Sequence, residues 1–132
     1  MTGMNTPRML PGKRALIVGV ANDQSIAWGV ARAMRQAGAL VAITYLNDKA
    51  ERFVRPLAES LDAPIIAPLD AGRPDQEEAL FAALAATWGG LDILVHSIAF
   101  APRDDLHGRV VDSSAAGFAT AMDISVHSFL RL

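Results

Sequence analysis

The sequence of 132 residues contains no cysteine, which excludes a disulfide framework and thiolate chemistry. With 12 basic and 14 acidic residues the formal net charge is −2, and the basic stripe typical of nucleic-acid-binding proteins is missing. Apolar runs fall short of the ~18 residues that a transmembrane helix needs, and the first residues lack the apolar core of a signal peptide. This composition predicts a cytoplasmic protein that binds neither nucleic acid nor a membrane.

A hydrophobic fraction of 52% is typical of a folded domain whose strands are buried on both faces of a sheet. Residues 1–11 contain two prolines and no apolar periodicity, so we expect a flexible N-terminal tail there. Residues 12–132 show no internal repeat, low-complexity tract or linker. They are predicted to be one domain, or part of one.

Short apolar runs alternate with segments of helical periodicity along residues 12–132. Such alternation predicts an α/β fold, namely a doubly wound parallel sheet of the Rossmann type with four strands and helices on both faces. The predicted strands are residues 15–18, 40–45, 64–70 and 91–96, and the predicted helices begin at Ser25, at Asn47 or Asp48, near Pro74, and at Ser113 or Ser114.

Helical spacing also predicts which side chains of the helices face the core. Pro56 is expected to bend the second helix, and Pro64 and Pro68 favour the edge of the sheet for the third strand. The inward faces are predicted to be Ile26, Val30, Ala33, Met34 and Ala37 in the first helix and Phe53, Leu57, Ala58 and Leu61 in the second. In the last helix, core packing and a subunit contact are both open for Phe118, Met122, Val126 and Phe129.

The loop between the first strand and the first helix has the features of a phosphate-binding turn. Gly19 allows a sharp turn and a close approach of a ligand to the backbone. At the start of the helix, the N–H groups of Ser25 and Ile26 are expected to be free donors for a diphosphate, and the Ser25 hydroxyl offers one more. The usual G-x-G-x-x-G pattern is absent, because the next glycine is Gly29. A capped strand–turn–helix junction that binds nothing is the alternative interpretation.

The ends of the second and third strands lie at the same predicted edge of the sheet. An acidic residue at the tip of the second strand would favour NAD and a basic one NADP, but Leu46 is neither. The neighbouring Asn47 or Asp48 is read first as a helix cap. Asp70 can accept a hydrogen bond from an adenine amino group, with Ala71 supporting the ring, and it can equally cap the loop that follows.

The fourth strand ends in small residues, Ser97, Ala99 and Ala101, which leave the backbone open beside a nicotinamide ribose. His96 is a candidate for catalysis, although a lone histidine at a strand end is more often a structural residue with a hydrogen bond. His107 and His127 have no ligand spacing, so no metal site is expected.

Several motifs occur together in one order along the chain. They are Gly12-Lys13-Arg14, Gly19-x5-Ser25-Ile26-Ala27-x-Gly29, Leu69-Asp70, His96-Ser97-Ile98-Ala99-Phe100-Ala101-Pro102, Leu106-His107-Gly108, Gly117-Phe118 and Asp123-Ile124-Ser125. In this set the sequence closely resembles the NADH-dependent enoyl-acyl-carrier-protein reductases of bacterial fatty-acid synthesis, a divergent branch of the short-chain dehydrogenase/reductases. The resemblance implies that residues 12–132 are the N-terminal part of a Rossmann-type domain that is incomplete at its C-terminus.

The resemblance also implies a role for individual residues. It implies NADH as the cofactor, with NADPH as the alternative because Leu46 stands where many members have a glutamine at the adenosine ribose. It further implies an enoyl-acyl-carrier-protein substrate and a homotetramer. The implied contacts are Gly19, Ser25 and Ile26 at the diphosphate and adjoining sugar, Asp70 and Ala71 at adenine, Ser97, Ile98 and Ala99 beside the nicotinamide, and Ala101 where the substrate pocket begins.

The family's catalytic tyrosine and lysine have no counterpart in this sequence. Its single tyrosine is Tyr45, and neither Lys13 nor Lys49 is paired with it. The leading hypothesis is therefore the N-terminal half of an enoyl reductase, without catalytic residues of its own. The alternatives are a non-catalytic NAD(P)-binding or subunit-interaction module and another short-chain reductase, and the His-Ser-Ile-Ala stretch argues against the last.

Overall fold

The computed structural model describes residues 8–132, in which strands and helices alternate as far as the fourth strand. Two single 3₁₀ turns, Arg103–Leu106 and Val110–Asp112, follow that strand, and a π turn over Asp123–His127 separates the last two helices. In chain order the elements are β1 (Arg14–Val18), α1 (Ile26–Gln36), β2 (Leu40–Tyr45), α2 (Asp48–Ser60), β3 (Ile66–Pro68), α3 (Pro74–Trp88), β4 (Ile93–His96), α4 (Ala115–Met122) and α5 (Ser128–Arg131).

Within the described residues, four parallel strands form one sheet in the order β3-β2-β1-β4. The strand order reverses at β1, where Ile17 pairs with Ile43 of β2 on one side and with Val95 of β4 on the other. A crevice opens at such a reversal, beyond the carboxyl ends of the strands. The predicted α/β class, the parallel sheet and the number of strands are confirmed.

Side chains of β1 alternate between the two faces of the sheet, and both faces are covered. Ala15 and Ile17 pack with residues of α1 and α2, whereas Leu16 and Val18 pack with Leu80 and Leu84. All four β1 side chains are completely buried, which explains why this strand reads as a continuous apolar run. The two layers of helices hold β1 rigidly, so its carboxyl end provides a fixed base for the turn that follows.

The inward face of α1 differs from the prediction in part, since Val30 and Met34 pack against the core as predicted but Ile26 and Ala33 do not. Ile26 is 80% exposed and Ala33 is also exposed, whereas Ala27, Trp28 and Ala31 are buried. In this alanine-rich helix the face that contains Ile26 and the face that contains Ala27 both carry apolar residues at helical spacing. The large Trp28 ring takes the core position. Gly38, with φ of 101°, follows the helix as predicted.

The capping of α2 is as predicted, and its packing is as predicted except at Phe53, since Ala58 is completely buried and Leu57 and Leu61 pack against the same core. Asn47 accepts a hydrogen bond from the N–H of Ala50 at 3.2 Å. Phe53 was expected inside and is 53% exposed, with the Arg52 guanidinium 4.7 Å from its ring centre. Val54 is completely buried in its place. The helix continues through Pro56 to Ser60.

The third strand is shorter than predicted, since only Ile66–Pro68 pair with β2. It lies at the edge of the sheet, as its prolines indicated. The α3 helix begins at Pro74, as predicted, and ends at Trp88 before Gly89, whose φ is 70°.

Of the predicted N-terminal tail, residues 1–7 lie outside the described residues. The N–H of Leu10 donates to the Ala37 carbonyl at 2.9 Å and that of Gly12 to the Gly38 carbonyl at 3.0 Å. These bonds attach residues 10–12 to the end of α1. The domain boundary at residue 12 stays a prediction.

The last helical segment is interrupted in a way that the sequence did not indicate. Ser114 caps α4 by accepting from the N–H of Gly117 at 2.9 Å, which was one of the two predicted starts. The π turn then shifts the helical phase before α5. A core position for the apolar stripe is wrong within the described chain, because all four members are exposed: Phe118 by 64%, Met122 by 43%, Val126 by 50% and Phe129 by 52%.

Candidate functional site

A cleft of about 470 Å³ lies where the chain leaves the carboxyl ends of β1, β3 and β4. It occupies the crevice at the reversal of strand order, the usual place for a ligand in an open α/β sheet. Seven of the ten predicted site residues line it, namely Gly19, Leu46, Asp70, Ala71, Ser97, Ile98 and Ala99. Segments up to 80 positions apart in the sequence thus meet as the pattern of strand ends predicted.

Gly19 has a backbone conformation and surroundings that only glycine fits. Its φ is +103°, and a Cβ built on it would overlap the carbonyl oxygen of Ser97 and come within 2.7 Å of Cγ2 of Ile98. The N–H of Ser97 donates to the Val18 carbonyl at 3.0 Å, which fixes this contact in place. The turn after β1 therefore lies directly against the end of β4, and its backbone is open to the cleft.

Thr44 of β2 fixes the same turn from the other side. Its hydroxyl oxygen accepts from the N–H of Gly19 at 3.3 Å, and its carbonyl accepts from the N–H of Val20 at 3.2 Å. The Thr44 side chain is buried at 1% exposure. The side chain and the backbone carbonyl of Thr44 thus each satisfy one N–H group that the sharp turn would otherwise leave without a partner.

The loop before α1 is closed by its own hydrogen bonds, and this corrects one prediction. The N–H of Ser25 is not free, since it donates to the Asn22 carbonyl at 3.2 Å, and the Ser25 hydroxyl donates to the same carbonyl at 2.6 Å. Ser25 occupies the N-cap position without a side-chain cap bond. Among residues 8–132 none accepts from the N–H of Ile26, which remains a donor at the start of the helix. Ser25 and Ile26 do not line the cleft itself.

A second, more polar cleft of about 450 Å³ adjoins the first and shares Leu46 and Asp70 with it. Lys49 and Arg73 contribute the positive charges of its wall, and Asp48 contributes a negative charge. The Arg73 guanidinium is occupied by Asp75, with bonds of 3.0 and 2.8 Å. This pairing raises the pKa of Arg73 and lowers that of Asp75, chiefly through the hydrogen bonds between the two side chains.

Asp70 forms hydrogen bonds within the loop that follows β3, as the alternative interpretation predicted. Its Oδ1 accepts from the N–H of Gly72 at 2.8 Å, while its N–H donates to the side chain of Gln76 at 2.7 Å. The second carboxylate oxygen has no hydrogen-bond partner among the described residues, and Asp70 lines the cleft. Ala71 is buried at 8% exposure. A structural bond and a ligand contact are thus compatible in the one side chain.

His96 is a structural residue here. Its Nε2 lies 2.7 Å from the Ser128 hydroxyl, and its ring meets Phe129 edge-on with centres 5.4 Å apart. The Ser128 hydroxyl has a single proton and donates it to the Ile124 carbonyl. The Nε2 atom must then carry the proton of the imidazole and donate to Ser128. His96 does not line the main cleft.

Ala101 lies in a neighbouring apolar cleft of about 370 Å³ and not in the main one. The two clefts meet at Ala99 and Phe100, which line both. Phe100 is held by Ser125, whose hydroxyl accepts from the Phe100 N–H at 3.0 Å and lies 3.1 Å from its carbonyl oxygen. The main cleft and the neighbouring cleft therefore adjoin at these two residues.

Sequence reasoning missed five residues of the main cleft. Val20 and Ala21 follow the predicted Gly19, and Leu69 precedes Asp70, so that proximity along the chain was the available signal. Ile124 gave no such signal, because it enters the cleft from the π turn. The complete set that was missed is Val20, Ala21, Leu69, Phe100 and Ile124.

Tyr45, the single tyrosine, is not placed for catalysis. It is 5% exposed at the end of β2 and packs in the core beneath α2. Burial is the main cause of a raised pKa of its phenol, and the nearby Glu51 carboxylate raises it further. Across the described part of the chain, no three acidic or histidine side chains converge as metal ligands do. No described helix is both long and apolar enough to cross a membrane.

Comparison with known proteins identifies the fold and the cleft together. A family model described as enoyl-(acyl carrier protein) reductase matches residues 19–132. The chain belongs to this enoyl reductase family. The match begins at Gly19 and includes every predicted site residue. The resemblance inferred from the motifs is confirmed.

Two curated relatives illustrate the extent of the match. The NADH enoyl-[acyl-carrier-protein] reductase FabI of Aquifex aeolicus is 44% identical over 124 residues, which are 94% of this chain and 46% of the relative. The corresponding reductase 1 of Rhizobium meliloti is 46% identical over 121 residues, 92% of this chain and 44% of the relative. The chain thus spans about half the length of the curated relatives that it matches.

Solved enoyl reductase structures agree with the fold. The Anaplasma phagocytophilum reductase, solved in complex with NAD, superposes with a TM-score of 0.88 at 44% identity and covers 97% of this chain and 49% of its own. The Aquifex aeolicus enzyme gives the same TM-score at 45% identity over 92% of this chain. The fold of this chain is therefore one that known enoyl reductases share.

Proposed function

We propose that this chain is the cofactor-binding half of an NADH-dependent enoyl-acyl-carrier-protein reductase. The reaction is the reduction of the double bond of a trans-2-enoyl thioester during fatty-acid elongation. NADH, when bound, supplies the hydride. The observation that carries the proposal is the contact between Gly19 and the end of β4, which opens backbone to a cleft at the reversal of strand order.

The turn after β1 and the start of α1 both offer backbone to a dinucleotide at this edge of the sheet. No side chain extends from Gly19, so a diphosphate can lie against the backbone of the turn. The N–H of Ile26, which has no acceptor among residues 8–132, lies at the positive N-terminal end of α1, and this end of a helix favours an anion. We assign the diphosphate and its sugar to Gly19, Ser25 and Ile26, the adenine to Asp70 and Ala71, and the nicotinamide half to Ser97, Ile98 and Ala99.

The proposed preference for NADH over NADPH depends on the polar cleft beside Leu46. A 2′-phosphate is favoured by positive charge, and in this cleft Arg73 is already paired with Asp75. The remaining cation of the cleft, Lys49, stands against two carboxylates, those of Asp48 and Asp70. Relatives named as NADH enzymes support this preference.

For the substrate, we assign the acyl group to the apolar cleft that contains Ala101. Its wall meets the cofactor cleft at Ala99 and Phe100, so a double bond there would lie beside the nicotinamide. The tyrosine and lysine of the family have no counterpart among these 132 residues, and Tyr45 is buried in the core. We therefore assign proton and oxyanion chemistry to the complete reductase and not to this half of it.

We further propose that the reductase is a cytoplasmic homotetramer. The exposed apolar stripe of Phe118, Met122, Val126 and Phe129 is suited to a contact between subunits. Size-exclusion chromatography with light scattering on the complete gene product tests the tetramer. A monodisperse monomer would contradict it.

A binding and a turnover measurement together test the proposed function. We expect the complete gene product to bind NADH, measured by quenching of protein fluorescence, and to oxidise NADH in the presence of a crotonyl thioester. The 132-residue chain alone should show no such turnover. Binding of NADH without turnover by the complete product would favour a non-catalytic module, and absence of NADH binding would overturn the proposal.

A further inference from the structure

Arg131, in the last turn of α5, connects two walls of the cofactor cleft. One guanidinium nitrogen, Nη2, donates to the Ala71 carbonyl at 2.9 Å. The other, Nη1, donates to the Asp123 carboxylate at 2.8 Å and lies 2.9 Å from Nδ1 of His127. A single side chain thus joins the loop after β3 to the π turn, which are about 50 positions apart in the sequence.

The partly buried surroundings of Arg131 distinguish it from an exposed surface ion pair. Its side chain is 27% exposed, and that of Glu77, whose carboxylate lies 3.7 Å from Nε, is 16% exposed. Arg131 therefore faces two carboxylates and a backbone carbonyl, and charge-assisted bonds of this kind are stronger than those between neutral groups. The exposed pair of Arg109 and Asp112 offers a contrast, since it joins residues only three positions apart.

Both anchored segments carry a residue of the cleft wall. Ala71 lines the cleft with its neighbour Asp70, and Asp123 directly precedes Ile124, which also lines it. Among the side chains that line the cleft only those of Asp70 and Ser97 are polar, which suits a flat heteroaromatic base with an exocyclic amine. Arg131 therefore ties together two segments that would contact such a base.

We propose that Arg131 is a positioning residue for the adenine half of the cofactor. It makes no contact with the ligand, and it acts by holding the Ala71 wall against the Ile124 wall. The inference rests on the proposed NADH site and adds to it a determinant of affinity that lies outside the cleft. Lysine cannot replace it, because an ammonium group is a point charge and cannot span Ala71 and Asp123 as the planar guanidinium does.

Binding of cofactor pieces to variants of the complete gene product tests this role. We expect Arg131→Ala to weaken the binding of NADH and of ADP about tenfold each, because both contain adenine, and to change the binding of reduced nicotinamide mononucleotide less than about twofold. Arg131→Lys should weaken NADH and ADP by an intermediate factor. The Kd values are measured by fluorescence for the reduced nucleotides and by calorimetry for ADP.

Two further variants separate positioning from folding. Asp123→Ala removes one anchor of Arg131 at a half-exposed site. It should weaken the binding of ADP, as Arg131→Ala does, but by a smaller factor. Arg109→Ala, the matched control, should leave all three Kd values unchanged. Thermal melting of each variant shows whether it is folded at the temperature of the binding measurement.

The outcomes distinguish this inference from the proposed function. If the unaltered protein does not bind NADH, the proposed function fails. If the unaltered protein binds NADH and Arg131→Ala binds NADH and ADP equally well, with or without a lower Tm, the positioning role is wrong. An equal loss of ADP and of reduced nicotinamide mononucleotide would also overturn it, since that pattern indicates general loosening.

Discussion

The carbonyl oxygen of Ser97 lies where the Cβ of any residue other than glycine at position 19 would have to be. This contact joins the ends of two adjacent strands, β1 and β4, and it makes the size of one side chain critical for the cleft. Gly29, ten positions later in α1, has nothing within 4 Å of its own Cβ position. The two glycines therefore form a natural pair for an experiment.

We expect Gly19→Ala to abolish cofactor binding and to destabilise the fold by at least about 2 kcal/mol, from strain at positive φ and from the clash with β4. Gly29→Ala should preserve NADH affinity and leave stability unchanged or slightly higher, because alanine is favoured over glycine inside a helix. NADH titration and chemical denaturation measure the two effects. Equal affinities of the two variants would refute the close-approach role of Gly19.

Thr44→Val should reveal the contribution of the hydroxyl that supports the turn. Valine keeps the shape of the buried side chain but leaves the N–H of Gly19 without its acceptor, at a cost of about 1–2 kcal/mol in the free energy of unfolding. We expect NADH affinity to fall with it. Thr44→Ser keeps the hydroxyl and should retain most of the affinity, and a serine variant as weak as the valine variant would argue against the hydrogen bond.

Ile26 and Ile17 should behave in opposite ways when replaced by alanine. Ile26 is 80% exposed, so Ile26→Ala is expected to change the free energy of unfolding by less than about 0.5 kcal/mol, and NADH affinity should stay within about twofold because the variant keeps the backbone N–H that we assign to the diphosphate. Ile17 is completely buried, and Ile17→Ala should cost about 2–5 kcal/mol. Denaturation curves and NADH titrations of both variants provide the comparison. A large loss of stability in Ile26→Ala would restore the inward orientation that the helical spacing predicted.

Asp92 should make the stability of the fold depend on acid. The pKa of Asp92 lies well below its ordinary value of 3.8. The main cause is hydrogen bonding from the Arg14 side chain, followed by the hydrogen bond from the Arg14 backbone N–H, and the positive charge of Arg14 adds to both. The unfolded chain binds this proton at higher pH than the folded chain. The stabilisation is thus complete above the ordinary pKa and is lost as the pH falls below it.

Melting temperatures as a function of pH measure the Asp92 effect. Asp92→Asn should have a lower Tm than the unaltered protein at neutral pH, and the difference should shrink as the pH falls below about 4. Asp112→Asn in the exposed pair with Arg109 should show little difference at any pH. A gap between the Asp92 variant and the unaltered protein that stays constant down to strongly acidic pH would contradict the role of the carboxylate.

The sequence allowed the strands, the caps and the convergence of strand ends to be predicted, because these follow from local patterns. Buried strands read as apolar runs, and Asn47 and Gly89 mark helix ends by their own chemistry. The same local patterns place Asp70 and Ser97 at one edge of the sheet, which was enough to find most of the cleft. The burial of the central strand on both faces then follows from the parallel topology.

The errors arose where neighbouring positions of a helix are both apolar, so that helical spacing alone does not decide which of them faces the core. In α1, the stripes that contain Ile26 and Ala27 are both apolar, and the choice between them is made by the fit of Trp28 against the sheet. In α2, Phe53 and Val54 compete for one core position, and the smaller side chain occupies it. The π turn that brings Ile124 into the cleft depends on tertiary contacts, such as the bond of Ser128 with His96, and has no signal in the spacing of residues.

The two borders of the sheet are unequal in what they offer to another strand. Because Leu69 donates inward to Tyr45, the nitrogen of Pro68 faces outward, where it has no hydrogen to donate. Recruitment of a further strand beside β3 is thereby discouraged, whereas β4, at the other border, has no proline among Ile93–His96. Any enlargement of the sheet should proceed in a single direction, outward from β4.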